Sequence, residues 1–359
     1  MRAEQSAAIK PVMQAKSPIP AKPILWAAAL CLATAAPFAA LGQTGQDFYA
    51  NKQIRMIIGH PVGNDYDLAA RFLAKYLVRH IPGEPTIIAQ NMPQAASITA
   101  ANFLYSQAPR SGTAFGSFSR NVPSQARMGQ ANVSADPRLF NWLGATSLPS
   151  RVCVAWITAT VKTAADLFTH ELIVAGSGAG SSLSILPTVF NHVLGTKFRV
   201  IEGYKGTTDA VLAMERGEVQ GVCATYGQFR IYEQLLREGK IRFILRAEEA
   251  AIPELEDVPS IFDFAKTNEQ RQLMRFVFSS VEFGRPYVFP PDVPKERVAV
   301  MRKAIADAAR DPELLTEAER LKLDMAYRPP EHLERLVSQL YDTPAGTIET
   351  VRKLVPNLD

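Results

Sequence analysis

Two stretches hold the densest chemical information in the chain: Leu172-Ile-Val-Ala-Gly-Ser-Gly-Ala-Gly-Ser-Ser182 and Glu202-Gly-Tyr-Lys-Gly-Thr-Thr-Asp209. Each follows a short β-rich run and precedes a helical pattern, so both read as strand-to-helix turns. Glycines at such turns let the backbone approach a ligand, and the first amides of the following helix have no partner inside that helix. Two turns of this kind in series make a pocket for an anion. The plain alternative for either turn alone is a tight connection. The sharper rival is a dinucleotide site, because Gly176-Ser-Gly178-Ala-Gly180 follows an apolar run and Glu202 ends the next strand, about where a ribose-binding acid stands. The third glycine of that fingerprint would fall at Ser181, whereas Gly180 comes one place early. No Lys-Ser or Lys-Thr follows the loop, which excludes a Walker-type phosphate cradle.

A third turn rich in small and polar residues, Gly59-His-Pro-Val-Gly-Asn-Asp-Tyr-Asp67, lies far upstream and belongs on an opposite wall. With Ser119-Arg-Asn121 it would face Ser177 to Ser182, Tyr204 to Thr208 and Thr225-Tyr-Gly-Gln228 across a cleft, the layout of two hinged lobes. Tyr66, Tyr204 and Tyr226 either line that cleft or pack beneath it. His60 reads as a neighbour of the site or a surface residue. Arg230 either reaches a second carboxylate of a dicarboxylate ligand, or caps its own helix or sits in solvent.

The elements that must position these turns alternate along the chain. Short β-rich runs fall at 54–59, 86–90, 114–119, 151–157, 171–175, 197–201, 221–225 and 241–246, with helical patterns between them. That alternation predicts an α/β fold with largely parallel sheets. Asp67 to His80 reads as a helix with Leu68, Phe72, Leu73, Tyr76 and Leu77 on its core face; Ser182 to Leu194 and Thr208 to Arg216 read likewise. From Pro294 onward the pattern is almost wholly helical, punctuated by Pro312, Pro329 and Pro344. No internal sequence repeat is visible.

Arg2, Lys10, Lys16 and Lys22 precede an uncharged run from Ile24 to Ala36, which reads as a secretory signal peptide cleaved between about Ala40 and Thr44. Ile24 to Ala40 is short against the ~20 residues a membrane span needs. The whole chain has 39 Lys+Arg against 35 Asp+Glu; without residues 1–42, which carry four basic side chains and Glu4, the balance is 35 against 34. A nearly neutral chain with no basic run is not a nucleic-acid binder. Cys153 and Cys223 are either bonded or separately buried, and a cysteine nucleophile is disfavoured because no His motif accompanies them. His60, His80, His170, His192 and His332 lack metal-ligand spacing.

In the order and spacing of several segments the chain resembles the extracytoplasmic solute receptors of the tripartite tricarboxylate transporter system, the Bug family. Those segments are Lys52-Gln-Ile-Arg-Met-Ile-Ile58, the Pro61 to Asp67 turn, Gln90-Asn-Met-Pro93 with the small-residue run to Ala101, Ala108-Pro-Arg-Ser-Gly-Thr113, Ala175-Gly-Ser-Gly178, Gly203-Tyr-Lys-Gly206 and Leu212-Ala-Met-Glu-Arg-Gly-Glu-Val-Gln-Gly221. The resemblance implies a two-lobed, type II-like periplasmic binding protein with mostly parallel sheets flanked by helices. It implies a signal peptide over 1–42, lobe 1 over 43–147 and 281–359, and lobe 2 over 148–280, with two crossings near Ala145 to Val154 and near Phe278 to Tyr287. By the same resemblance the ligand is a small organic anion, a carboxylate, held by loop amides, hydroxyls and waters rather than by a fixed arginine. The donors carried over are Val62, Gly63, Asn64, Asp65 and Tyr66, with Asp67 matching the family's aspartate, and Asn121 from lobe 1. Lobe 2 supplies Ser177, Gly178, Ala179, Gly180, Ser181, Tyr204, Lys205 and Gly206, with Tyr226 beside them. The chain departs from the family in having Gly63-Asn-Asp65 where consecutive glycines are common, and Asp65 would repel a carboxylate set against it. A periplasmic monomer without cofactor or enzymatic activity, delivering its ligand to integral-membrane permease subunits, is the function implied. A sensor presenting the ligand to a membrane kinase is the alternative within the same fold, and a dinucleotide-dependent oxidoreductase the alternative outside it.

Overall fold

A computed structural model describes residues 48–147, 150–178, 181–249 and 253–354. The signal-peptide reading for 1–42, and Ala179 and Gly180 among the candidate donors, fall outside the described residues. In chain order the strands are β1 (Gln53–Ile58), β2 (Thr86–Asn91), β3 (Ala114–Ser117), β4 (Asn141–Ala145), β5 (Arg151–Trp156), β6 (Leu172–Ala175), β7 (Phe198–Ile201), β8 (Gly221–Thr225), β9 (Ile241–Arg246) and β10 (Pro286–Phe289). The helices are α1 (Asp65–Leu77), α2 (Ile98–Ser106), α3 (Val122–Arg127), α4 (Ser182–Leu194), α5 (Thr207–Glu215), α6 (Glu233–Arg237), α7 (Asn268–Glu282), α8 (Lys295–Ala308), α9 (Pro312–Arg320), α10 (Pro330–Asp342) and α11 (Ala345–Leu354).

The strands form two five-stranded sheets, in the orders β2-β1-β3-β10-β4 and β7-β6-β8-β5-β9. The two orders are the same when each sheet is numbered from its own first parallel strand. In the first sheet β10 alone runs against its neighbours, and in the second β5 does. Each reversed strand is the first one laid down after the chain changes sheets, between Ala145 and Arg151 on the way out and between Glu282 and Pro286 on the return. The fold is therefore α/β with one topology used twice, although no sequence repeat announces it.

Two strands escape the sequence reading. β4 (Asn-Trp-Leu-Gly-Ala) and β10 (Pro-Tyr-Val-Phe) are short, carry a Gly or a Pro, and are almost wholly buried, so neither shows alternation. α1 begins at Asp65 rather than Asp67, because Asn64 caps it by accepting from the Tyr66 N–H at 2.9 Å, and its last residues tighten into a 3-10 turn at Val78–His80. Its core face is Ala69, Ala70, Phe72, Leu73, Tyr76 and Leu77. Leu68, expected inside, is half exposed because that face lies one position further along the helix.

One hydrophobic cluster runs through both sheets. It takes Ile57, Phe118 and Trp142 from the first, Cys153, Val174 and Leu186 from the second, and Phe276, Val277 and Phe278 of α7 between them. A second cluster fills the other face of the first sheet beneath α1 and α8, and a third lies under α5 and β9. Cys153 and Cys223 stand opposite each other on β5 and β8 and are joined by a disulfide. Among the described residues no helix is long and apolar enough to cross a membrane.

Candidate functional site

All the turns singled out above leave the carboxyl ends of parallel strands: β1 and β3 in the first sheet, β6, β7 and β8 in the second. In open α/β sheets this edge is where ligands bind. Three of these turns, those after β1, β6 and β7, are braced by acids of the chain's own. Asp67, buried beneath the first turn, accepts from the Gly63 N–H at 2.9 Å, from Asn91 Nδ2 at 2.7 Å and from Arg71 Nε at 2.8 Å. Burial pushes its carboxyl up, but those three donors outweigh it and hold the group below the usual carboxylate range.

In the second lobe Glu202 reaches back across the β6 turn. Its Oε2 accepts from the Gly178 N–H at 2.7 Å and from Ser184 Oγ at 3.0 Å. A Cβ on Gly176 would stand 2.5 Å from Glu202 Oε2 and 2.6 Å from Val200 Cγ1, so a larger residue would push the bracing carboxylate aside. Ser181 stands at the N-cap position of α4 without a side-chain bond to the helix amides, and its Oγ lies 3.2 Å from Ser184 Oγ. In the β7 turn the Lys205 N–H donates to Asp209 Oδ2 at 3.2 Å, and the Tyr204 N–H to the Gly176 carbonyl at 3.1 Å, tying the two turns together. Ser177 and Gly206 lie in these same turns, and the Tyr204 ring packs on the third cluster. Tyr226 follows β8; its N–H donates to the Ser150 carbonyl at 2.7 Å and its ring lies 5.6 Å from Phe243.

Around the first-lobe turns Val62 is largely exposed. Asp65 Oδ2 lies 3.4 Å from an Arg285 guanidinium nitrogen, so its charge is partly met inside the protein. Tyr66 stacks on His60 with ring centroids 3.9 Å apart, its hydroxyl donates to the Gly284 carbonyl at 3.2 Å, and that hydroxyl accepts from the Arg120 N–H at 3.4 Å. Burial drives His60 toward its neutral form against the pull of Asp65. Asn121 is half-buried just ahead of α3, its N–H on Ser119 Oγ at 3.3 Å. Tyr66 thus links the turns after β1 and β3 to the return crossing.

The crossings touch each other. Gly284 has φ of 59°, and a Cβ on it would stand 2.3 Å from the Ser147 carbonyl oxygen. The Thr146 N–H donates to the Arg285 carbonyl at 3.2 Å, while Ser147 Oγ donates to Asp324 Oδ2 at 2.6 Å and Arg285 to the Asp324 carbonyl at 2.8 Å.

Sequence reasoning passed over Arg151 and Glu248. Arg151 opens β5 opposite Thr225, which puts it at the ligand edge of the second sheet, and it is only 9% exposed. Glu248 is buried beside it and accepts from Ser150 Oγ at 2.7 Å and the Arg151 N–H at 2.8 Å. Burial pushes the Glu248 carboxyl up to about 7 despite those donors and the Arg151 charge. The available signal was a lone charge at the mouth of an otherwise apolar strand.

The architecture is that of the type II-like periplasmic binding proteins, two α/β lobes with their ligand edges turned toward the crossings. Among solved structures, the chain has the fold of the TctC/Bug solute-binding proteins. A TctC solute-binding protein from Polaromonas superposes with a TM-score of 0.66 at 19% identity, over 85% of this chain and 99% of that one. The periplasmic binding protein BugD superposes with a TM-score of 0.50 at 17% identity, over 85% and 98%. The R. palustris protein Rpa4515, solved with adipate, also gives 0.50, at 18% identity over 85% and 97%. No protein-family model and no curated protein matches the chain.

The dinucleotide alternative meets a chemical obstacle at Glu202. Its carboxylate is taken up by the Gly178 amide and the Ser184 hydroxyl, where a dinucleotide site would need that acid on the ribose hydroxyls. A cavity between α7 and α10, lined by Gln272, Phe276, Ser279 and Leu340, shares no residue with the turns.

Proposed function

We propose that this protein is a periplasmic solute receptor that closes its two lobes on a small carboxylate and presents the closed form to a tripartite tricarboxylate-type permease. The observation that carries the reading is the repeated strand order, which sets five small-residue turns at the ligand edges of two sheets joined by paired crossings. In this reading lobe 1 comprises 43–147 and 281–359, and lobe 2 comprises 148–280. The ligand contacts are drawn from the turns at Val62 to Tyr66 and Asn121 on one side, and from Ser177 to Ser181, Tyr204 to Gly206 and Tyr226 on the other. Asp67 sets the first turn from below. The adipate in Rpa4515 supports a carboxylate as the ligand class. The disulfide suits an oxidising compartment.

Thermal denaturation against mono-, di- and tricarboxylates, aromatic acids and dinucleotides tests this. A carboxylate at 100 times its Kd stabilises the protein by ~2.7 kcal/mol, read as a rise in Tm, and X-ray scattering with that ligand shows compaction. Stabilisation by dinucleotides alone would replace the receptor with an enzyme.

A further inference from the structure

Arg151 is a cation held almost wholly inside the fold, only 9% exposed. Among the described residues its guanidinium makes no hydrogen bond and no ion pair; only its backbone N–H is engaged, with Glu248. A guanidinium carries five N–H donors in a planar fork, so one at a ligand edge with no protein acceptor among the described residues can take an acidic group of a ligand. Arg120, half-buried in the turn after β3 on the other lobe, has a side chain equally free of partners among the described residues, its backbone N–H resting on the Tyr66 hydroxyl. The two arginines meet at the crossings: the Arg120 N–H rests on the Tyr66 hydroxyl, that hydroxyl donates to the Gly284 carbonyl, and Gly284 packs on the Ser147 carbonyl just ahead of Arg151; burial first, then the Arg120 charge, holds the Arg151 guanidinium down to about 9, with Glu248 opposing. Glu248 faces the Arg151 backbone: its two oxygens accept from Ser150 Oγ and the Arg151 N–H, and among the described residues it forms no ion pair with the guanidinium. Arg328, half-buried, is turned to His332 and feels Glu282 and Glu248 instead.

The turns themselves leave anionic charge unmet. The amides of Gly63, Gly178 and Lys205 are taken by Asp67, Glu202 and Asp209, three carboxylates of the chain's own. An anion entering this cleft therefore meets acid-capped turns and two arginines whose guanidiniums make no ion pair among the described residues.

We propose that Arg120 and Arg151 form a two-lobed cationic subsite that grips one anionic group of the ligand, so that the anion itself ties lobe 1 to lobe 2. Resting on the receptor reading, the ligand class becomes a dicarboxylate: one carboxylate lies in the arginine fork, where the planar guanidinium matches it in bidentate fashion, and the other reaches the free donors of the turns.

Calorimetry and thermal denaturation of the wild type, Arg120→Gln and Arg151→Gln with C4 to C8 straight-chain dicarboxylates, hexanoate and sulfate test it. For the dicarboxylate that binds the wild type, each Gln variant weakens Kd at least about tenfold, and hexanoate binds more weakly than the dicarboxylate of equal length. Without ligand, Arg120→Gln keeps or raises Tm because it removes a like charge, an effect that a merely structural arginine would not give. Arg120 lies in a half-buried turn, so this variant keeps the test alive should Arg151→Gln fail to fold. Equal dicarboxylate affinity in the wild type and Arg120→Gln overturns the subsite and leaves the receptor reading intact. Stabilisation by sulfate that is lost in the variants, with no response to any carboxylate, supports the arginine subsite and overturns the carboxylate reading. Silence toward sulfate and every carboxylate overturns both.

Discussion

Glu248 carries a proton problem that belongs to single residues. Its carboxyl, buried beside Ser150 and Arg151, is pushed from an ordinary 4.5 up to about 7. Between those values the folded protein binds a proton that the unfolded chain has released, so stability falls as pH rises through that window. The expected loss is up to about 3 kcal/mol, measured as the difference in unfolding free energy between pH 5 and pH 8. Glu248→Gln should flatten that dependence, and an unchanged slope would show that the carboxyl ionises freely in the fold. Asp67 works in the opposite sense. Its depressed value contributes stability that is present above the unfolded carboxylate range and lost as pH falls through the folded one. Asp67→Asn should loosen the first turn and lower Tm at neutral pH, by roughly 1–3 kcal/mol of lost charge-assisted bonds. At this scale the sequence is only partly legible. The glycine turns can be read as turns, because Gly and a following helix pattern are local signals. That Glu202 or Asp209 would fold back onto those amides is not local enough to read, and Arg151 hides in a strand whose other residues are apolar.

At the scale of elements, the crossings are the tightest point. Gly284→Ala puts a side chain into a left-handed backbone and against the Ser147 carbonyl, so at least ~1–2 kcal/mol is lost from the conformation alone, with the clash added. Equilibrium denaturation measures it, and a loss under 0.5 kcal/mol would mean the crossings yield easily. The β5–β8 disulfide closes a loop set by a sequence separation of 70. Its removal by paired Cys→Ala substitution should cost on the order of 4 kcal/mol in the chain-entropy account, less where the reduced chain keeps residual structure. Strands β1 to β3 and β5 to β9 are legible because short apolar, mostly β-branched runs stand between clear helical patterns. β4 and β10 are not, because four or five buried residues with Pro or Gly carry no period, and their pairing is decided by partners far away in the chain.

Across the whole molecule, the apolar cluster that passes through both sheets and α7 couples the lobes. Heat should therefore unfold residues 43–359 in one transition, with calorimetric and van't Hoff enthalpies equal. Two resolved transitions would mean that the lobes hold themselves up separately. The α/β class is readable from alternation alone, whereas the doubled topology is not, since similar strand orders place no demand on similar side chains. That doubled topology also sets an order of assembly. All five strands of the second sheet come from one continuous stretch, 151–246, together with its disulfide. The first sheet has a gap between β3 and β4 until Pro286–Phe289 has been made. A ribosome delivering this chain from its amino end thus exposes β1 to β4 first yet completes them last, and for most of synthesis the half-built first sheet offers an open edge that only the last third of the chain can close.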